Sequence, residues 1–148
     1  ELALAAEEPL LEAVARIALA SSYRLLGEAH YLSDSNDKAV RHFDLAVAEI
    51  EQAAPLLADT RQYRLLAQAY EAQGAAYLQQ GVVLGDQGKP EEGRTRLELA
   101  KAAYQSCIEQ GDKGFFDEIL QEKVIEQGCV RYNGVTDEYL KKLEGEQP

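Results

Sequence analysis

A pattern of small and bulky residues occurs twice in this chain, with an offset of 54 residues. In each copy an aromatic residue is followed four positions later by glycine, and small or apolar residues stand 12, 16 and 19 positions beyond that glycine. The first copy is Tyr23, Gly27, Ala39, Phe43 and Ala46, and the second is Tyr77, Gly81, Gly93, Leu97 and Ala100. This spacing predicts two helical hairpins, each with a close-contact glycine on one helix and a packing row on the other. Such hairpins stack into solenoids, whose usual function is to bind another protein.

The composition favours helix throughout the 148 residues. Alanine is abundant, and together with leucine, glutamate and glutamine it has high helix propensity. No stretch alternates apolar and polar residues over the length of a strand. We therefore expect an all-α fold in one domain, residues 1–148, with about five to six helices arranged as antiparallel hairpins in a short solenoid or bundle.

The charge of the chain limits its partners. A net charge of −11 disfavours nucleic acid, since phosphate binding requires clustered lysine and arginine. No apolar run approaches the roughly 20 residues of a membrane span, so we expect no direct membrane insertion. The same charge is compatible with a basic protein partner. The compartment is not determined by the sequence: we favour a cytoplasmic protein, with an exported mature form as the alternative.

The boundaries of the helices follow from proline, glycine and capping residues. The first helix is predicted to begin after Pro9 and to end near Leu32, the second to end before Pro55, and the third to begin near Asp59 and Thr60. The fourth runs from Pro90 to Gly111, a fifth covers 115–132 and closes at Gly134, and Thr136 or Asp137 caps a short terminal helix. On the first helix the helical period predicts one shared face, formed by Leu10, Leu11, Val14, Ile17, Ala18, Ser21, Leu25 and Gly27 or Glu28.

The two cysteines are predicted to be unpaired thiols. A hairpin turn near Gly111–Gly114 would place Cys107 close to the turn and Cys129 about four helical turns away from it. That offset exceeds the reach of a disulfide.

With the duplicated residues in view, the chain resembles the tetratricopeptide repeat family. Counted from Ala20, the family positions hold Tyr23, Leu26, Gly27, His30, Ala39, Phe43 and Ala46; counted from Gly74, they hold Tyr77, Gln80, Gly81, Leu84, Gly93, Leu97 and Ala100. The units are 20–53 and 74–107. Family repeats follow one another about every 34 residues, so the longer interval implies that residues 9–19 and 56–73 extend the first helix of each unit. Residues 115–144 would then form the capping helices.

The resemblance implies a concave groove lined by the first helix of each unit. Carried onto this sequence, the groove positions include Ser21, Arg24, Glu28 and Tyr31 in the first unit and Leu78 and Val82 in the second. Members that grip chaperone tails carry lysine and asparagine at two of these positions, which this chain lacks. The resemblance therefore implies a protein or peptide ligand, either an amphipathic helix or an extended segment with apolar or basic anchors.

No pattern in the sequence indicates catalysis, a cofactor or a metal site. His30 and His42 have no partner at ligand spacing, and the segment 81–89 lacks the spacing of a phosphate-binding loop. Glu28 and Glu71 could face each other in a helical interior as carboxylate metal ligands, but the Glu-x-x-His pair of di-iron bundles is missing and solvated carboxylates are the expected state. The row of Tyr63, Tyr70 and Tyr77 fits either an interhelical core or an aromatic binding face.

The sequence thus predicts a non-enzymatic protein-interaction adaptor or assembly scaffold. The alternative is an oligomerisation or regulatory helical module of a larger protein. In either case a homo-oligomer is compatible with the sequence.

Overall fold

The computed structural model describes residues 2–58, 60–114 and 117–145, and these residues form an all-α fold without strands. The elements are α1 (Leu2–Leu32), α2 (Asn36–Leu57), α3 (Tyr63–Asp86), α4 (Pro90–Lys113), α5 (Glu118–Leu120), a π-helical segment (Gln121–Val130) and α6 (Arg131–Gly145). The last three are continuous and are called the C-terminal helix below. The predicted fold class is confirmed.

The helices pack as successive antiparallel pairs. α1 lies against α2 and α3 against α4, while α2 also contacts α3 and joins the two hairpins. α1 contacts α3 directly, and the C-terminal helix packs on both α3 and α4. No helix in the described part of the chain is both long and apolar enough to cross a membrane.

The duplicated residues make the same contact in both hairpins. A Cβ atom at Gly27 would lie 2.7 Å from Cε1 of Phe43, and one at Gly81 would lie 2.7 Å from Cγ of Leu97. Phe43 and Leu97 are buried. Each glycine therefore provides the space into which the large side chain of the facing helix packs.

The turns between paired helices are duplicated as well. Asp34 and Gly88, which are 54 residues apart, adopt left-handed conformations with φ of 58° and 75°. The amide that follows each of them donates to the carbonyl five residues earlier, Ser35 to His30 at 2.8 Å and Lys89 to Leu84 at 2.9 Å. These bonds close a helix with a left-handed residue just beyond its end, so the repeat extends from the packing to the turn.

Two helices continue past the prolines that were expected to bound them. α1 begins at Leu2 and contains Pro9, and α2 reaches Leu57 and contains Pro55. Each proline removes one backbone hydrogen bond. At the end of α2 the burial of Ala53 and Leu57 outweighs that loss, whereas the alanines before Pro9 favour helix by propensity.

The start of α3 and the end of α4 each differ by a few residues from the predicted boundary. α3 begins at Tyr63, after the expected Thr60, and Asp59 lies outside the described residues. α4 continues two residues beyond Gly111 to Lys113.

The predicted break at Gly134 is wrong, because α6 runs through it. Thr136 donates to the carbonyl of Tyr132 at 2.7 Å, as a residue inside a helix does, and Asp137 also lies within α6. The N-terminal cap is instead Asp117, whose side chain accepts from the amide of Leu120 at 2.9 Å. Residues 115 and 116 of the predicted fifth helix are outside the described part.

The periodic face predicted for α1 is only partly buried. Leu10 and Ile17 pack on the core and Gly27 is buried. Leu11, Val14, Ala18 and Leu25 are exposed. The buried residues are Ala13, Ala20 and Gly27, which are seven residues apart and share one side of the helix. The buried side of α1 has small residues because α1 and α2 approach each other closely there.

The cysteines form a disulfide, contrary to the prediction. Cys107 and Cys129 have Cα atoms 6.3 Å apart. A Cβ at Gly111 would lie 2.9 Å from Cγ1 of Ile125, and both pairs are equidistant in sequence from residue 118. The helices are joined after Lys113 and before Glu118, a few residues later than the expected turn, and this later connection places the two sulfurs at the same level.

We predict opposite effects of adding one methyl group at glycines in different environments. Gly27→Ala and Gly81→Ala should each lower the free energy of unfolding by about 1–3 kcal/mol, because a buried side chain must move. Gly134→Ala should raise it by about 1 kcal/mol, since no atom lies within 4 Å of the added Cβ and alanine favours helix. Urea unfolding of the three variants measures the difference. Equal effects at all three positions would contradict the close-contact assignment.

We predict that loss of the disulfide destabilises the protein. The bond spans 22 residues, and release of a loop of that size corresponds to about 3 kcal/mol in the chain-entropy model. Urea unfolding with and without reductant should show this loss for the wild type and no effect of reductant on Cys107→Ser/Cys129→Ser. Titration of two free thiols in the native, unreduced protein would refute the pairing.

Candidate functional site

A cavity of about 610 Å³ lies between α1, α3, α4 and α6. Four residues of the predicted groove line it: Ser21, Arg24, Glu28 and Leu78. Its other lining residues are Ile17, Gln68, Glu71, Ala72, Ala75, Gln79, Tyr104 and Tyr132. On α1 and α3 the lining positions recur every three or four residues, as expected for one face of each helix.

The other two predicted groove residues lie elsewhere. Val82 lines a separate cavity of about 70 Å³ beside Tyr139 and Leu143. The Tyr31 hydroxyl donates to Oδ2 of Asp86 at 2.5 Å, and this bond, with partial burial, raises the pKa of Tyr31 to about 12. Tyr31 therefore links α1 to α3 beyond the large cavity.

Arg24 is the cation of the cavity. Its Nη1 donates to Oε1 of Gln79 at 3.1 Å and lies 3.6 Å from a carboxylate oxygen of Glu28. These contacts hold the guanidinium between α1 and α3. Arginine has five N–H donors, and both contacts to described residues use Nη1, so Nε and Nη2 remain for a ligand.

Glu71 is a half-buried carboxylate on the α3 side. Burial raises its pKa, and the positive charge of Arg24 opposes that shift. Among the described residues none forms a hydrogen bond or salt bridge with Glu71. Gly128 of the π-helical segment lies against it, where a Cβ would be 2.9 Å from Oε1, so the missing side chain leaves room for this carboxylate.

Tyr104 forms the floor of the cavity and is 1% exposed. Its ring packs on Gly74, where a Cβ would lie 2.7 Å from Cε1, and burial raises the pKa of its hydroxyl. At the corresponding positions of the first hairpin, 54 residues earlier, the chain has Ala20 and Ile50. The glycine and tyrosine together therefore distinguish the second hairpin from the first.

Sequence reasoning missed Tyr104, Tyr132 and the cavity position of Gln68. Tyr104 could have been found by comparing the two repeats, since it replaces an aliphatic residue. Tyr132 could not, because the predicted helix break at Gly134 separated it from the array.

The row of Tyr63, Tyr70 and Tyr77 belongs mainly to the core. Tyr77 is buried and Tyr70 is half-buried against the core, whereas Tyr63 lines a surface cavity.

The surroundings of Glu28, Glu71 and the two histidines do not form a metal site in the described part of the chain. Glu28 and Glu71 line the same cavity, with Arg24 beside both. The described residues contain no group of three or more histidine, cysteine, aspartate or glutamate side chains placed to hold a metal ion. The rings of His30 and His42 are 4.7 Å apart, and burial, with this neighbour, lowers the pKa of His30.

Comparisons with protein-family models, with curated proteins and with solved structures gave no match to this chain. Its function is therefore inferred from the cavity and from the exposed surfaces.

We predict that Glu71→Gln stabilises the protein at neutral pH. A carboxyl group whose pKa is higher in the folded than in the unfolded state binds more protons when folded, so its contribution to stability falls as the pH rises through that interval. The variant should therefore be more stable than the wild type at pH 7, and the difference should vanish below about pH 4.5, the usual pKa of glutamate. Thermal unfolding across this range is the measurement, with the exposed Glu98→Gln as control. A variant less stable than wild type at pH 7 would contradict the prediction.

Proposed function

We propose that this chain is a non-enzymatic, tetratricopeptide-like adaptor or assembly factor that holds a segment of another protein in the cavity between α1 and α3. The observation that carries the proposal is that Ser21, Arg24, Glu28 and Leu78, which the resemblance assigned to a groove, line one cavity. The repeated glycine contacts and turns of the two hairpins support the family assignment.

The chemistry of the cavity favours a segment with a basic anchor and apolar neighbours. A lysine or arginine of the ligand would pair with the Glu71 carboxylate, and such pairing offsets the burial of a charge. The free donors of Arg24 would hold backbone carbonyls of the ligand. Ile17, Ala72 and Leu78 supply apolar contact on the walls. The net charge of −11 attracts a basic segment from a distance.

The disulfide also bears on where the protein acts. Disulfides persist mainly in oxidising compartments, so the Cys107–Cys129 pair favours an exported form over the cytoplasmic location expected from the sequence. The partner would then be another protein of that compartment.

We predict that two single substitutions in the cavity weaken binding. Peptides selected from a random library on the immobilised protein should be enriched in lysine or arginine and should lose affinity as ionic strength rises. Glu71→Gln and Arg24→Ala should each weaken the selected peptides about tenfold or more, because each removes a hydrogen bond to a charged group. Isothermal titration calorimetry gives the dissociation constants.

Matched substitutions outside the cavity serve as controls. Glu98→Gln and Arg41→Ala remove the same groups from exposed positions on α4 and α2, and both should bind like the wild type. Selected peptides that bind Glu71→Gln and Arg24→Ala as tightly as the wild type would show that the cavity is not the binding site.

A further inference from the structure

α1 carries a second apolar surface on the side that faces away from its packed neighbours. Its large exposed residues are Leu11, Val14, Leu19, Leu25, Leu26 and Leu32, with exposures from 41% to 77%. Between them lie the exposed small residues Ala15, Ala18, Ser22 and Ala29. These ten residues are called the outer face of α1. A helix that is apolar on both sides is normally buried on both sides.

Part of the equivalent surface of the second hairpin is covered by helices, and three more of its residues, Gln68, Ala72 and Gln79, line the cavity. The residues 54 positions after Ala15, Ser22, Leu26 and Ala29 are Ala69, Ala76, Gln80 and Val83, and all four are buried. Gln80 donates to the carbonyl of Val40 on α2 at 3.0 Å. Gln79, which corresponds to Leu25, accepts a hydrogen bond from Arg24 on α1. The duplication thus shows that part of this side of a first helix is a helix-packing surface.

The central part of the outer face has two matching residue pairs on the two sides of Ser22. Leu19 and Leu25 lie three residues before and after it, and Ala15 and Ala29 lie seven before and after. In an antiparallel pair of α1 helices with a two-fold axis at Ser22, Leu19 would be level with Leu25 of the second copy and Ala15 with Ala29. Leu26 would be level with Ala18, so the contact stays apolar next to the axis. A two-fold interface requires such a self-complementary surface, and spacings of three, four and seven keep the residues on one stripe.

The outer face has no charged residue, so a second copy can pack on it without electrostatic repulsion between the contacting residues. The chain carries a net charge of −11, so two copies repel each other across most surfaces. None of the ten residues of the outer face is charged. The same stretch of α1 has four charged residues. Arg16 pairs with the exposed Glu12 and with Glu49 of α2, and Arg24 and Glu28 line the cavity.

We propose that a second copy of this chain covers the outer face, forming a two-fold dimer by antiparallel packing of the two α1 helices with Ser22 on the axis. From Leu11 to Leu32 the contact would extend over about 32 Å at 1.5 Å per residue. The cavity opens on another side of α1, so this dimer is independent of the proposed ligand binding.

The mass of the protein in solution tests the dimer. Sedimentation equilibrium over a range of concentrations should give twice the mass of one chain. Leu19→Glu and Leu26→Glu should each raise the dimer dissociation constant at least about 100-fold, because each places two unpaired carboxylates in the interface. Leu45→Glu, at a residue of α2 that is 44% exposed, is the matched control and should dimerise like the wild type.

Two further variants test the position of the axis. Leu19→Lys and Leu25→Glu should each weaken the dimer, whereas the two together should restore it, because each lysine would meet a glutamate of the second copy. Ser22→Cys should form a disulfide between chains under oxidation, and Ser106→Cys on α4 should not. This cross-link introduces no charge, so it tests the contact even if a charged variant loses its helical circular dichroism.

Three results would overturn the proposal. The first is a wild type that is monomeric at every concentration, which is also the result expected if another protein covers the outer face. The second is a dimer unaffected by Leu19→Glu and Leu26→Glu. The third is failure of both the charge-pair rescue and the Ser22→Cys cross-link, which would remove the axis from Ser22. Peptide binding in the cavity is measured separately, so failure of the dimer leaves the proposed function intact.

Discussion

The fold depends on helices that approach each other where one partner has no side chain. A Cβ atom at Gly27, Gly74, Gly81 or Gly111 would lie within 2.7 to 2.9 Å of a buried side chain on the neighbouring helix. Each contact sets both the distance between two helices and their register, because the bulky residue fits at one position only. Two of these contacts are duplicates, which is why both hairpins have the same geometry and end in the same kind of turn. The exposed polar residues can vary around this framework without changing it.

The cavity arises where the two hairpins differ. Gly74 and Tyr104 replace Ala20 and Ile50, which places an aromatic ring beneath the space between α1 and α3. Gln79 replaces Leu25 and holds Arg24 across that space. The C-terminal helix contributes Tyr132, and Gly128 leaves room for Glu71. Polar groups thus collect at the seam between hairpins, whereas the interior of each hairpin stays apolar and closely packed. In the second hairpin, glutamines on the side of the first helix that corresponds to the outer face of α1 form hydrogen bonds with the preceding helices. In the first hairpin the same side carries Leu19, Leu25 and Leu26, which are 41% to 57% exposed.

Four of the twelve residues that line the cavity were among the groove positions named from the sequence. Ser21, Arg24, Glu28 and Leu78 are groove positions that the resemblance to tetratricopeptide repeats implied. Val82 and Tyr31 were implied in the same way but lie about one turn farther along their helices. There α6 closes a separate small cavity beside Val82, and Asp86 accepts a hydrogen bond from the Tyr31 hydroxyl. Glu71 was considered as a metal ligand beside Glu28. The structure instead pairs Glu28 with Arg24 and places Glu71 under Gly128, a contact between elements 57 residues apart that no local pattern reports.

The sequence by itself determined the helices, the two hairpins and their turns, because these depend on propensity and on contacts between residues close along the chain. The tertiary structure alone decided three things: the Cys107–Cys129 disulfide, the unbroken C-terminal helix and the exposed side of α1. The first depends on where a hairpin turns, and a shift of a few residues moves facing positions by several ångströms along the helix axis. The second depends on packing that holds Gly134 in a helix despite its low propensity. The third depends on which of the two apolar sides of α1 contacts a neighbouring helix. Helical period indicates that a residue shares a face with others, but only the position of the neighbouring helix determines whether that face is buried.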